Sequence, residues 1–337
     1  MSRRLAVRAL RSPELYLFVV LAATIAWFSI ANPFFGTSAN FTGLAAGAAV
    51  LGIAAMGVTV ALAAGSIDFS IAATIALAGV IAAWLDGHVG GAPAIAGALV
   101  AALAVGVVNG AVVTRFGINP FIATLAMAGT LRGIAFLVAG SSAGIVVEDG
   151  PIVTLGQHEL AGVPLPILAF AAVALVAYLL LAHTPAGRAL LAVGGNPEAA
   201  RLSGISVAGA QRWGYIASAG AAGVAGVLLA GRTGSGLPQA AAGQELLVYS
   251  AVILGGTSLW GGRATIVGSV LGILFVETLR NGLILERVSP YWQTILQGVF
   301  LIVAVWLVRQ QQLGRDPVWL AERVGRRLRR GPPAEAR

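Results

Sequence analysis

The sequence predicts an all-α integral membrane protein with about ten transmembrane helices, some of them discontinuous. Three observations carry that prediction. Of 337 residues, 58% are hydrophobic and only 10% charged, with a mean hydropathy of +0.89, whereas an average water-soluble domain carries about 25% charged residues. Apolar runs of membrane-spanning length recur along the chain, a span needing about 20 such residues. The 21 basic residues are all arginine, with no lysine, and they cluster at the two ends and in alternate loops, which is the positive-inside pattern and not a nucleic-acid footprint.

The elements follow in order. Residues 1–14 carry Arg3, Arg4, Arg8 and Arg11 before an apolar run begins at Leu15. That opening resembles a signal peptide, with small residues at Ser29 and Ala31. The run is long enough to span and further spans follow, so an uncleaved first helix is expected. Candidate spans then fall near 15–32, 41–64, 70–86, 92–114, 120–139, 165–183, 213–231, 246–260, 264–285 and 290–308. With the N-terminus inside, Arg115, Arg188, Arg201, Arg212 and Arg263 lie on the inner side with the basic tail. The outer loop 140–164 holds Glu148, Asp149 and Glu159 but no arginine. Arg232 and Arg287 are the exceptions, both on the outer side. The tail 309–337 contains a candidate amphipathic helix after Asp316-Pro317. It places Leu320, Val324 and Leu328 on one face and Arg323, Arg326, Arg327, Arg329 and Arg330 around the rest, which suits either anionic lipid or solvent.

Two glycine-flanked breaks interrupt the hydrophobic pattern. Gly-Ser-Ile-Asp-Phe-Ser at 65–70 breaks the second run, and Gly-Gly-Thr-Ser-Leu-Trp-Gly-Gly at 255–262 breaks the eighth. Irregular backbone at membrane depth is tolerated only where protein or a cavity covers it, and paired discontinuous segments often mark a translocation site. Both breaks fall on the inner side. The Asn109-Gly110 and Asn281-Gly282 pairs, each followed by a proline, fall on opposite sides.

The polar loop 187–205 stands out from the apolar runs. Gly194 and Gly195 are expected to make a sharp turn. Asn196 is a good N-cap and Pro197 suits the first helical position. Glu198 places negative charge in the first turn. Ala199, Ala200, Arg201 and Leu202 continue the helix, and Gly204 can end it. The predicted product is a two-turn helix outside the membrane, either a plain connector or a docking element.

Ionisable residues within spans are few, and such residues are functional by default. Asp68 sits at the first break, Arg132 lies deep in the fifth span, and Glu277 with Arg280 can neutralise each other at a spacing of three. Asp68 and Arg132 could pair across helices, as a gate or as bundle glue. Asn109, Thr124, Thr257 and Ser258 add the hydroxyl and amide groups that suit a neutral polyol, and with Asp68 and Arg132 they are candidates for a translocation path. A phosphate loop requires lysine, so the chain carries none. His88, His158 and His183 are too dispersed for a metal cluster, and absent cysteine excludes disulfides and thiolate sites. An ion-driven carrier usually has a chain of carboxylates or histidines through the membrane, of which only Asp68 and Glu277 are present. Gly-Ser-Ser-Ala-Gly at 140–144 matches a hydrolase pattern without its strand–turn–helix context.

Four segments, in order, resemble the ribose-type monosaccharide permeases of ABC importers, within the branched-chain amino acid/sugar permease superfamily. Gly-Gly-Asn-Pro-Glu-Ala-Ala-Arg-Leu-Ser-Gly-Ile at 194–205 is similar to their coupling loop. The segment 65–70 is similar to Gly-Ile-Asp-Leu-Ser, with Ser66 and Phe69 as departures. Asn-Pro-Phe-Ile-Ala-Thr-Leu at 119–125 with Arg132-Gly133 is similar to a third motif, and 243–246 with 252–262 to a fourth. The resemblance implies a type II importer-like bundle at 15–308, with a cytoplasmic coupling loop at 183–212. It further implies a second permease copy or paralogue, two ATPase subunits seated on the helix from Pro197, and an extracytoplasmic binding protein. ATP and Mg would sit on the ATPase, and no cofactor on this chain. A sugar is the implied cargo. Nucleosides, branched-chain amino acids or a furanosyl signal are the alternatives within the family, and an ion-driven secondary transporter is the alternative outside it.

Overall fold

A computed structural model describes residues 13–289, 291–296, 298, 299 and 302. The long helices are α1 (Pro13–Ala31), α2 (Ser38–Ala63), α3 (Ile71–Val89), α4 (Gly91–Arg115) and α5 (Pro120–Ala139), followed by α7 (Leu165–His183), α10 (Val207–Thr233) and α12 (Ile266–Leu285). These eight are long and apolar enough to cross a membrane. Between them lie the short helices α6 (Pro151–Gln157), α8 (Pro185–Gly195), α9 (Pro197–Leu202) and α11 (Gln244–Leu254). Strand β1 (Ile145–Val146) pairs antiparallel with β4 (Ser235–Gly236), and β2 (Glu159–Leu160) with β3 (Val163–Pro164).

Local chemistry sets most helix starts. Thr37, Asn119, Thr184, Ser206 and Thr265 each accept a hydrogen bond from a first-turn N–H of α2, α5, α8, α10 and α12, so one otherwise orphaned donor is satisfied at each. Pro120 and Pro185 occupy the first helical position, where a missing N–H costs nothing.

Helix α2 is the axis of the bundle, buried all round from Ala48 through Ala63. A helix apolar on every side belongs in the interior of such a bundle. α10 packs against α2, α3 and α4 through small residues. Gly57 faces Ala217, Ser218 and Ala221, Gly226 meets the backbone of Ile75, and Gly106 faces Tyr215 and Ile216. Added Cβ atoms would collide at each, so glycine permits the close approach that drives helix association in lipid. The outward faces of α1, α4, α5 and α7 expose Trp27, Ile30, Val100, Ile122, Leu137 and Val176, a surface suited to acyl chains.

The expected spans coincide with helices in eight cases. The expected span 246–260 is different: α11 stops at Leu254, and 11 residues cover only about 16 Å of a hydrocarbon core about 30 Å thick. Gly255 packs against the backbone of Gly268, and Gly256, Gly261 and Gly262 adopt positive φ of 95°, 93° and 75°, so the chain leaves the helix there. The break turns the chain back on itself, so that α11 packs side by side with α12, Ala251 against Gly272 and Gly255 against Gly268. The loop 140–164 is ordered by α6 and the two strand pairs, and α10 begins at Val207, ahead of the expected 213. The tenth expected span, 290–308, lies largely outside the described residues, although 291–296 are helical. The terminal segment 1–14 lies outside them except for its last two residues, and the tail 309–337 lies wholly outside.

Candidate functional site

Helix α9 is built as the sequence predicts. Asn196 Oδ1 accepts from Ala199 N–H at 3.0 Å, and Pro197 occupies the first turn. At the other end Gly204 N–H donates to Arg201 O and Ile205 N–H to Ala200 O, both at 3.0 Å, with Gly204 at φ 81°. This is a complete Schellman motif, in which the left-handed glycine lets two orphan carbonyls be satisfied. Ala200 is buried and fixes the inner face, while Glu198, Arg201 and Leu202 are exposed, Leu202 at 81%. Glu198 and Arg201 form an ion pair at 2.6 Å. The outward face therefore offers one acid, one base and one apolar side chain on a segment capped at both ends.

The expected turn at Gly194-Gly195 is corrected. Both residues end α8 in helical conformation, and the chain turns at Asn196, whose φ and ψ are −155° and 98°. Gly194 instead serves close contact: a Cβ there would strike Ala63 O and Gly262 N. Gly262 N–H in turn donates to Ala63 O at 3.2 Å. A seam of bare backbone thus joins the base of α9 to both breaks, which the sequence places on one side and the structure brings into contact.

At the first break Asp68 is fully buried. Its Oδ1 accepts from Ser70 N–H at 3.0 Å and Ser70 Oγ–H at 2.5 Å, and its own N–H donates to the Tyr249 hydroxyl at 2.7 Å. Asn109 donates to Ser70 Oγ at 2.9 Å, and Phe69 N–H donates to Thr124 Oγ1 at 3.0 Å. Phe69 stacks on Tyr249 with ring centroids 4.6 Å apart. Three of the path candidates, Asp68, Asn109 and Thr124, therefore converge on one node, with Ser70 and Tyr249 as members that sequence reasoning missed. Asn109 Oδ1 and Tyr215 Oη are buried there without hydrogen-bond partners in the protein. An orphaned buried polar group costs about 1–3 kcal/mol, so the node holds unused bonding capacity.

The other path candidates serve elsewhere. Thr257 Oγ1 accepts from Thr265 N–H at 3.1 Å, and Ser258 N–H donates to Arg263 O at 2.8 Å, so both close the second break on itself. Arg132 does not meet Asp68; its Nη1 donates to Pro238 O at 2.7 Å and Ala240 O at 2.9 Å, which pins the loop before α11. Among the described residues no group of three or more His, Asp or Glu is placed to hold a metal.

Residues 40–305 match the family described as branched-chain amino acid transport system / permease component. The chain belongs to that family. Among relatives of this permease, the L-arabinose transport system permease protein of Escherichia coli (strain K12) is 38% identical over 63% of this chain and 64% of its own length. The ribose import permease protein of Bacillus subtilis (strain 168) is 37% identical over 60% and 63%, and that of Escherichia coli (strain K12) 37% over 64% and 68%. The permease thus matches less than two thirds of the length of the arabinose relative. No solved structure matches it.

Proposed function

We propose that this chain is the membrane-spanning permease subunit of an ATP-binding-cassette importer for a monosaccharide of the arabinose or ribose kind. One observation carries the reading: α9 is capped at both ends, exposes Glu198, Arg201 and Leu202, and is seated through Gly194 on both helix breaks. A connector needs neither the exposed ion pair nor the seam. The family membership and the sugar-importing relatives support the same reading. In it, Asn196, Pro197, Glu198, Ala199, Ala200, Arg201 and Leu202 form the coupling helix that fits a groove of an ATPase subunit. Both termini lie in the cytoplasm, ATP and Mg belong to the ATPase, and a second permease copy or paralogue completes the path. A soluble binding protein delivers sugar at the far end, where the acidic loop 140–164 lies, and the basic tail rests on the inner lipid surface of a bacterial cytoplasmic membrane.

The test is co-purification and sugar uptake with the pair reversed, Glu198→Arg with Arg201→Glu. An exposed pair is worth about 0–1 kcal/mol, so the variant should accumulate normally, release the ATPase and lose uptake. Undiminished uptake would make α9 a connector, and uptake driven by an ion gradient with no ATPase bound would move the chain to the secondary transporters. Asp68→Asn keeps an acceptor for Ser70. It should leave abundance near normal and slow uptake, whereas loss of folded protein would make the node a packing element alone.

A further inference from the structure

At the end of the bundle opposite α9, the structure opens into two adjoining cavities of about 270 and 350 Å3 that share Gly47, Arg232, Glu277 and Arg280. Small-molecule sites begin at about 300 Å3. We infer that this cleft is a sugar-binding station within the permease itself, formed by Arg232, Glu277, Arg280, Asn40, Asn281 and Gln244; the inference rests on the importer reading above.

The chemistry of the walls supports this. Glu277 lies in α12, a membrane-spanning helix, and is 8% exposed. Such a carboxylate is costly unless it serves a purpose. Its partner Arg280 approaches only to 3.5 Å. Among the described residues, Arg280 makes that one protein hydrogen bond, and Arg232 makes one, to Gly43 O at 3.3 Å. A guanidinium has five N–H donors, so both keep most of theirs free. Asn40 and Asn281 hold each other at 3.0 Å across the rim and add amide donors and acceptors.

Hydroxyl groups both donate and accept, so a sugar can use the carboxylate, the guanidinia and the amides together. A simple anion would meet Glu277, and a simple cation would meet two arginines. The zwitterion of an amino acid would bring its ammonium against Arg232 and Arg280, two cations that flank the single carboxylate Glu277. The cleft also accounts for Arg232, which defies the charge rule on the outer side. Nearby, Gly47 leaves room for that guanidinium, since a Cβ there would lie 3.3 Å from Nη1.

The chain has no cysteine, so one introduced thiol reports cleanly. Thr233 lines the cleft and is exposed. In the intact importer, Thr233→Cys should react with an impermeant maleimide added outside. Millimolar L-arabinose or D-ribose should slow the reaction severalfold, and L-leucine should not. Glu277→Gln and Arg280→Gln should each remove the protection and raise the half-saturating sugar concentration about tenfold, the loss expected for one hydrogen bond to a charged group. A merely structural role would lower the maximal rate instead. An unchanged labelling rate with both sugars in an importer that transports one of them overturns the site, and protection by L-leucine overturns its sugar chemistry. Sugar protection without ATP-driven uptake would keep the site and remove the importer reading.

Discussion

The two ends of the bundle handle polarity in opposite ways. Near α9, polar side chains are sealed inside the protein: Asp68, Ser70, Asn109 and Thr124 are all fully buried, and backbones touch across Gly194, Gly262 and Ala63. At the far end Arg232, Glu277 and Arg280 line a cleft. Close backbone contact cannot deform without opening the packing, because interiors are near crystal density. Charged side chains around a cleft can rearrange at little cost. The first end is suited to passing on a displacement and the second to meeting a ligand.

Substitutions can break this contrast. The largest effect should come from Gly194→Ala. Its Cβ strikes backbone at Ala63 and Gly262 that no rotamer change can relieve, and overpacking of that kind costs about 1–3 kcal/mol. Thermal unfolding of the purified permease should show the loss, together with weaker retention of the ATPase. An unchanged melting temperature would mean that the seam is loose. The smallest effect should come from Gly47→Ala. Its Cβ meets only the mobile end of an exposed arginine, so stability should stay within about 0.5 kcal/mol. Sugar protection of Thr233→Cys should weaken by less than it does in Glu277→Gln. A large drop in melting temperature instead would place Gly47 in a tight seam like that of Gly194.

Much of this was legible in the sequence. The span at 120–139 matches its helix because Asn119 and Pro120 mark where it begins, and prolines alone, Pro164 and Pro166, mark the start at 165. The ends of α9 were legible for the same reason, with Asn196 and Gly204 in the required positions. Hydropathy alone could not separate the half-length α11 from a full span, because Val252, Ile253 and Leu254 look alike in either. Glycine pairs suggest backbone freedom at Gly194, whereas its role is close approach to Ala63 and Gly262, residues distant along the chain. Charge alone allows Arg132 to pair with Asp68, yet it donates to carbonyl oxygens of the loop before α11. Arg232 left a trace as an exception to the charge rule. Its companions Asn40 and Asn281 lie 241 positions apart, a separation no local pattern can bridge.

The seam at Gly194 has a mechanical consequence. Gears with slack between their teeth waste the first part of every turn. Between α8 and the two breaks there is no side chain to yield, so in the coupling proposed for α9 a push there would reach Ala63 and Gly262 with almost no lost motion.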